Sequence, residues 1–154
     1  MLDELDRKLL VLLQADASTP QAELGKAVGL SVSAVNERVR RLVARGVIER
    51  YTVRVNPQAV DRTLLAFIQV SLNDPKYEQA FLTAVRADAS VLECHTVTGG
   101  YAYLLKVRCR DTAALNTLLG ETLKALPGVT RTETQVALDT IKETHALACS
   151  GARR

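Results

Sequence analysis

The stretch Pro20–Arg45, PQAELGKAVGLSVSAVNERVRRLVAR, decides how the rest of the chain is read. Ser18-Thr19 supplies a cap and Pro20 suits the first turn of a helix, after which Leu24 and Val28 form one apolar side until Gly29 stops it. Leu30 and Ser31 then turn the chain into another helix, expected over about residues 32–45. In it Val35, Val39 and Leu42 recur at i, i+4, i+7, and Gly46 ends it. Two helices joined by a tight glycine turn, with Leu24, Val28, Leu30 and Val35 packed around it, is the pattern of a helix-turn-helix. Any small three-helix bundle needs similar spacing, so surface chemistry has to separate the two readings.

At 100° per residue, Val35, Val39 and Leu42 fall together, which leaves Ser33, Glu37, Arg40, Arg41 and Ala44 opposite them with Asn36 alongside. Between Ser31 and Val55 there are six arginines (Arg38, Arg40, Arg41, Arg45, Arg50, Arg54) against Glu37 and Glu49, a local balance of +4. The whole chain carries only +3, from 20 Lys+Arg and 17 Asp+Glu, so the positive charge is concentrated here. Double-stranded DNA is the expected partner. Ser31 and Ser33 place short polar groups at a helix N-terminus, where a phosphate or base edge would approach. Asn36 is matched to an adenine edge, and Arg40 to a guanine edge or a phosphate. Arg41, Arg45, Arg50 and Arg54 are assigned to phosphates, which position a protein without reading sequence. Arg38, near the apolar border, reads equally as a structural ion-pair partner.

Upstream, Asp3 can cap a first helix with Asp6 at its third position, and Leu5, Leu9 and Leu12 recur at helical spacing. Downstream, Val47–Val55 (VIERYTVRV) alternates apolar and polar residues and is expected to be a strand ended by Asn56-Pro57. From Leu64 the order is strand (LLAFIQVSL, to Leu72), helix (about 75–87), two strands (91–98 and 101–110) around Gly99-Gly100, helix (about 112–126) and strand (129–138). This is the βαββαβ plan of a ferredoxin-like domain. The fold class expected is therefore α+β: an N-terminal three-helix winged helix-turn-helix over 1–55, a linker at 56–63 and a ferredoxin-like domain over 64–154. Residues 150–154 read as a solvated tail.

The 154 residues and 47% hydrophobic content are those of a packed globular protein. Cys94, Cys109 and Cys149 are odd in number and fit neither a zinc spacing nor a disulfide framework, so a reducing cytoplasm is expected. There is no apolar run of the roughly 20 residues a spanning helix needs, and the acidic start lacks the basic flank of a signal peptide, so neither membrane association nor export is expected. The two histidines, His95 and His145, lie far apart, and His95 in a strand reads as a satisfied half-buried side chain rather than a catalytic base. Phosphate-loop, zinc-protease and nucleophile-elbow motifs are missing from the sequence, so no enzyme activity, cofactor or metal is expected.

An ordered series of motifs resembles the Lrp/AsnC, or feast/famine, family of transcription regulators along nearly the whole chain. The series opens with Leu2-Asp3-x-x-Asp6-Arg7-x-Leu9-Leu10, Val28-Gly29-Leu30-Ser31 and Glu37-Arg38-Val39-Arg40-Arg41-Leu42. It continues through Gly46-x-Ile48-x-x-Tyr51, Glu93-Cys94-His95, Leu118-Leu119-Gly120-Glu121-Thr122-Leu123 and Leu126-Pro127-Gly128-Val129. The resemblance implies a sequence-specific DNA-binding regulator whose second domain assembles homo-oligomers (dimers, stacked into tetramers or octamers) and responds to an amino acid or related metabolite. Several DNA-reading heads on one scaffold would let a weakly basic chain bind tightly.

The sequence departs from the family where many members carry a Gly-Asp-x-Asp-Tyr-like turn, having Gly99-Gly100-Tyr101-Ala102-Tyr103 instead. Both acids, which could pair with an effector's ammonium group, are replaced, by Gly100 and Ala102. An effector site there would use N–H groups around Gly99-Gly100, with Tyr101, Ala102, Thr134 and Val136 shaping the pocket. The same dipeptide also reads as a plain hairpin turn. Two rival functions stay open: an effector-independent architectural DNA-binding protein, and a relative of the haem-precursor decarboxylases that resemble this family. The second should lack a basic recognition surface, whereas Arg40 and Arg41 are present here.

Overall fold

Helix α1, Glu4–Ala15, starts at a reciprocal cap in which Asp3 Oδ1 accepts from Asp6 N at 2.7 Å and Asp6 Oδ2 accepts from Asp3 N at 3.4 Å. The computed structural model describes residues 2–149, so the expected tail at 150–154 lies outside the described residues. Helix α2, Gln21–Val28, begins after Pro20, which is its cap position and not its first turn. Ser18 and Thr19 do not cap it; they bond back to Asp16, closing the turn that leaves α1. Gly29 ends α2 in the left-handed region at φ 72°, which costs a glycine little. Helix α3, Val32–Ala44, is capped by Ser31, whose Oγ accepts from Ala34 N at 3.2 Å. Leu9, Leu13, Leu24, Val28, Val35 and Val39 meet as the core of these three helices, with Leu30 and Ile48 packed against it.

The strand expected over residues 47–55 does not form. Val47 N and Ile48 N both bond to Leu42 O (2.9 and 3.2 Å), finishing α3, and the following segment carries Tyr51, Val53 and Val55 exposed. Alternating β-branched residues favour extended backbone, but a strand also needs a neighbour to complete its hydrogen bonds, and this segment pairs with none among the described residues.

The second unit is a four-stranded antiparallel sheet in the order β2-β3-β1-β4, with β1 Leu64–Leu72, β2 Val91–Thr96, β3 Tyr103–Cys109 and β4 Val129–Val136. That order is the ferredoxin-like one. Ala66, Ile68 and Val70 of β1 alternate toward the helices, as do Tyr103, Leu105 and Val107 of β3, and close on Phe81 and Val85 of helix α4, Glu78–Ala87. A short 3-10 turn, Pro75–Tyr77, leads into α4. The expected helix over 112–126 is shorter: α5, Thr112–Thr117, passes into a π-helical turn, Leu118–Leu123. Five-residue spacing puts Leu118 and Leu123 on one side, and both are buried with Leu115.

Among the described residues the chain divides into one compact unit that joins the stretch up to Arg54 with residues 142–149, and another of Val55–Ile141. The second domain expected over 64–154 therefore contains a stretch, residues 142–149, that makes its contacts with the helices. It is fastened there by Gln14, whose Nε2 donates to Leu147 O (3.0 Å) while its Oε1 accepts from Leu147 N (2.7 Å), and by Arg7 Nη1, which donates to Cys149 O at 3.0 Å. Nothing in the periodicity of a chain without regular structure announces such a return.

Candidate nucleic-acid interface

Burial of Val35, Val39 and Leu42 fixes the rotation of α3, and the residues between them point outward as their spacing requires. Ser31, Ser33, Asn36, Glu37, Arg40, Arg41 and Arg45 are all exposed. Ser31 Oγ and Ser33 Oγ are 3.0 Å apart, so the two hydroxyls form one polar pair at the start of the helix. Gly25 sets how closely α2 approaches the turn. A Cβ there would lie 2.6 Å from Leu30 O, and at this close approach Leu30 N donates to Gly25 O at 2.9 Å.

The six arginines divide by what they touch. Arg38 Nη1 donates to Asp3 Oδ2 (2.5 Å) and Asp6 Oδ1 (2.8 Å), with its side chain only 20% exposed, so it ties the start of α1 to α3. Hydrogen bonds to Asp3 and then Asp6 hold its pKa above the ordinary arginine value. The Asp3 carboxylate is held below its usual range, first by the Asp6 N–H and then by Arg38. Arg40 forms a fork on Glu37, with Nε and Nη2 at 3.1 and 2.9 Å from Oε2 and Nη2 at 3.1 Å from Oε1. Arg41 Nε stands 4.0 Å from the same carboxylate. Arg45 and Arg50 are exposed and have no carboxylate partner among the described residues. Arg54 donates to Glu143 O at 2.9 Å and to its carboxylate at 3.3 Å, so it is engaged by the returning C-terminal segment.

The residues expected around an effector are not all brought together. Gly99 takes the positive φ (115°) of a hairpin turn, and the N–H groups of Gly99 and Gly100 meet no protein acceptor among the described residues. Ala102 N is taken by Val70 O at 3.0 Å. Tyr101 Oη donates to Glu133 Oε2 at 2.7 Å, and the Arg131 guanidinium lies 4.8 Å from the Tyr101 ring centre. Thr134 and Val136 sit opposite Ile68 and Ala66, on the helix-bearing side of the sheet, whereas Glu133 alternates to the other side. Glu133 and Arg131, the contacts of Tyr101, were not singled out from the sequence. The period-2 alternation of β4 holds the signal, since the side of the strand that meets Tyr101 carries its odd-numbered residues.

Other reactive side chains have ordinary partners. His95 is exposed and not half-buried, its Nε2 3.1 Å from Glu93, which also accepts from Lys106 Nζ at 3.2 Å. Burial pushes the thiols of Cys94 and Cys109 up, away from thiolate chemistry. Among the described residues no helix is long and apolar enough to cross a membrane, and no cluster of His, Cys, Asp and Glu is arranged to hold a metal.

Comparison with known proteins matches both units. The AsnC-type helix-turn-helix domain model covers residues 2–43 and the Lrp/AsnC ligand binding domain model residues 65–147. The leucine-responsive regulatory protein of Escherichia coli strain K12 is 44% identical over 148 residues, 95% of this chain and 90% of that protein. A Neisseria meningitidis transcriptional regulator solved as an L-Met complex superposes with a TM-score of 0.92 at 32% identity, covering 96% of each chain. The feast or famine regulatory protein from M. tuberculosis, complexed with L-methionine, gives 0.86 at 36% identity over 96% of this chain and all of that one (100%). E. coli AsnC gives 0.86 at 29% identity over 93% of this chain and 96% of that one.

Proposed function

The chain belongs to the Lrp/AsnC family of transcription regulators, and from that membership we propose that α3 lies in the major groove of duplex DNA while the sheet unit binds an amino acid or related metabolite. The observation that carries the DNA half is the outward face of α3, where Asn36, Arg40 and Arg41 stand exposed above a buried apolar stripe while Arg38 is consumed by Asp3 and Asp6. Asn36 and Arg40 read base edges; Ser31, Ser33, Arg41, Arg45 and Arg50 contact phosphates. Arg54 joins the phosphate contacts only when it leaves Glu143. The protein acts in the cytoplasm as a homo-oligomer, as a regulator and not as an enzyme.

Two solved relatives hold L-methionine, which supports an amino-acid effector. Gly99 and Gly100 offer N–H groups to a carboxylate, and Glu133, held by Tyr101, offers the negative charge that Gly100 and Ala102 no longer supply for an ammonium group. A thermal-shift screen against the common amino acids, run with light scattering, tests this reading. It expects at least one amino acid to raise the melting temperature and change assembly size or DNA affinity. If every amino acid leaves all three unchanged, the effector half fails and the effector-independent architectural reading replaces it.

A further inference from the structure

At 100° per residue Ser33, Glu37, Arg40 and Ala44 fall within an arc of about 60°, with Asn36 and Arg41 on its flanks. Glu37 therefore occupies the centre of the α3 face and not its rim. Phosphates line the rim of a groove and would repel a carboxylate, so an acid at the centre needs a different partner. Stability does not call for it: the helix has its own cap in Ser31 and its own buried stripe, and an exposed i,i+3 ion pair contributes little. Its side chain is 49% exposed and its two oxygens receive the Arg40 fork, which leaves further acceptor positions on the same carboxylate.

We propose that Glu37 is a specificity-determining residue of the DNA-reading helix, accepting from the N4 amino group of a cytosine while it holds Arg40 through Nε and Nη2, which aims the remaining N–H groups on Nη1 and Nη2 at the O6/N7 edge of a guanine. The inference rests on α3 being the reading helix. A G·C pair displays that donor and those acceptors side by side in the major groove, the complement of a carboxylate next to a guanidinium. On an A·T pair the carboxylate still finds a donor in the adenine N6 amino group, but no O6/N7 edge stands beside it for Arg40, so the two contacts are not made together and affinity falls. Glu37 thus sharpens discrimination by weakening binding to the wrong duplex as well as by contacting the right one.

Parallel selection from a randomised duplex library with the wild type, Glu37→Ala and Glu37→Gln tests the idea, together with the affinity of each for random duplex and its melting temperature. The wild type should enrich a site with a required G·C pair. Both variants should melt like the wild type, bind random duplex several-fold more tightly and relax that one position, with the ratio of specific to random affinity falling about tenfold. If Glu37→Ala melts early, Glu37→Gln, which keeps the shape and removes the charge, decides. An unchanged site with an unchanged ratio overturns the role of Glu37, as does an equal loss on specific and random DNA, which marks a purely structural residue. Failure of the wild type itself to bind any duplex overturns the reading of α3 along with it.

Discussion

Gly25 shows how a single missing Cβ positions the interface. Its backbone is in contact with the Leu30 carbonyl, and a methyl group placed 2.6 Å from that oxygen must push α2 away from the turn. Gly25→Ala is expected to destabilise the helical unit by about 1–3 kcal/mol, the usual cost of overpacking a tight contact. Chemical denaturation followed by circular dichroism checks this; an unchanged midpoint would mean that the turn relaxes freely. Asp3 gives a pH-dependent counterpart. Its folded pKa lies below the ordinary 3.8, so the stabilisation it contributes is fully present above that value and is lost as pH falls through the lower, folded pKa. Asp3→Asn should therefore melt earlier than the wild type at neutral pH, and the two curves should converge in acid. Arg38 was left open between DNA and an ion pair because periodicity locates it at the apolar border without naming its partners. Asp3 and Asp6 come from a helix some thirty residues away, and only the fold joins them.

At the scale of elements, α3 was legible because it carries a cap, an apolar period and a stop, in Ser31, Val35-Val39-Leu42 and the residues after Arg45. β1 and β3 were equally clear, since an apolar strand with two neighbours keeps its alternation. Residues 47–55 have the same local signal and no pairing partner, so propensity named a strand that the described chain does not complete. The segment from Lys142 is the opposite case: no period at all, yet it is held against α1 by the two-way amide contact of Gln14 with Leu147. Gln14→Ala removes both bonds, and amide exchange at Leu147 should accelerate by roughly fivefold, as expected for about 1 kcal/mol of net hydrogen bonding. Unchanged exchange would show that Arg7 and Arg54 hold the segment without it.

For the molecule as a whole, regulation requires two states that an effector binds unequally. β4 connects the two functions along the chain: it bears Glu133 in the sheet unit, and eight residues after Thr134 the backbone rejoins the helical unit at Lys142. The DNA half of this account was legible in the sequence because charge, period and caps all fall on one helix. For the proposed effector half the sequence offered only a candidate region, since which face of β4 meets Tyr101 is set by strand register and its contact with Glu133 appears only in the fold.

The central claim, that the outward cationic face of α3 engages duplex DNA, is tested most directly by measuring affinity for duplex against salt for the wild type and the Arg40→Ala/Arg41→Ala double variant. The wild type should bind with a steep inverse dependence on salt. The folded double variant should bind more weakly by about 1–3 kcal/mol per base-contacting arginine, with the logarithmic salt slope reduced by about 0.9 for each phosphate contact removed. A correctly folded double variant that keeps both the wild-type affinity and the wild-type slope would contradict it.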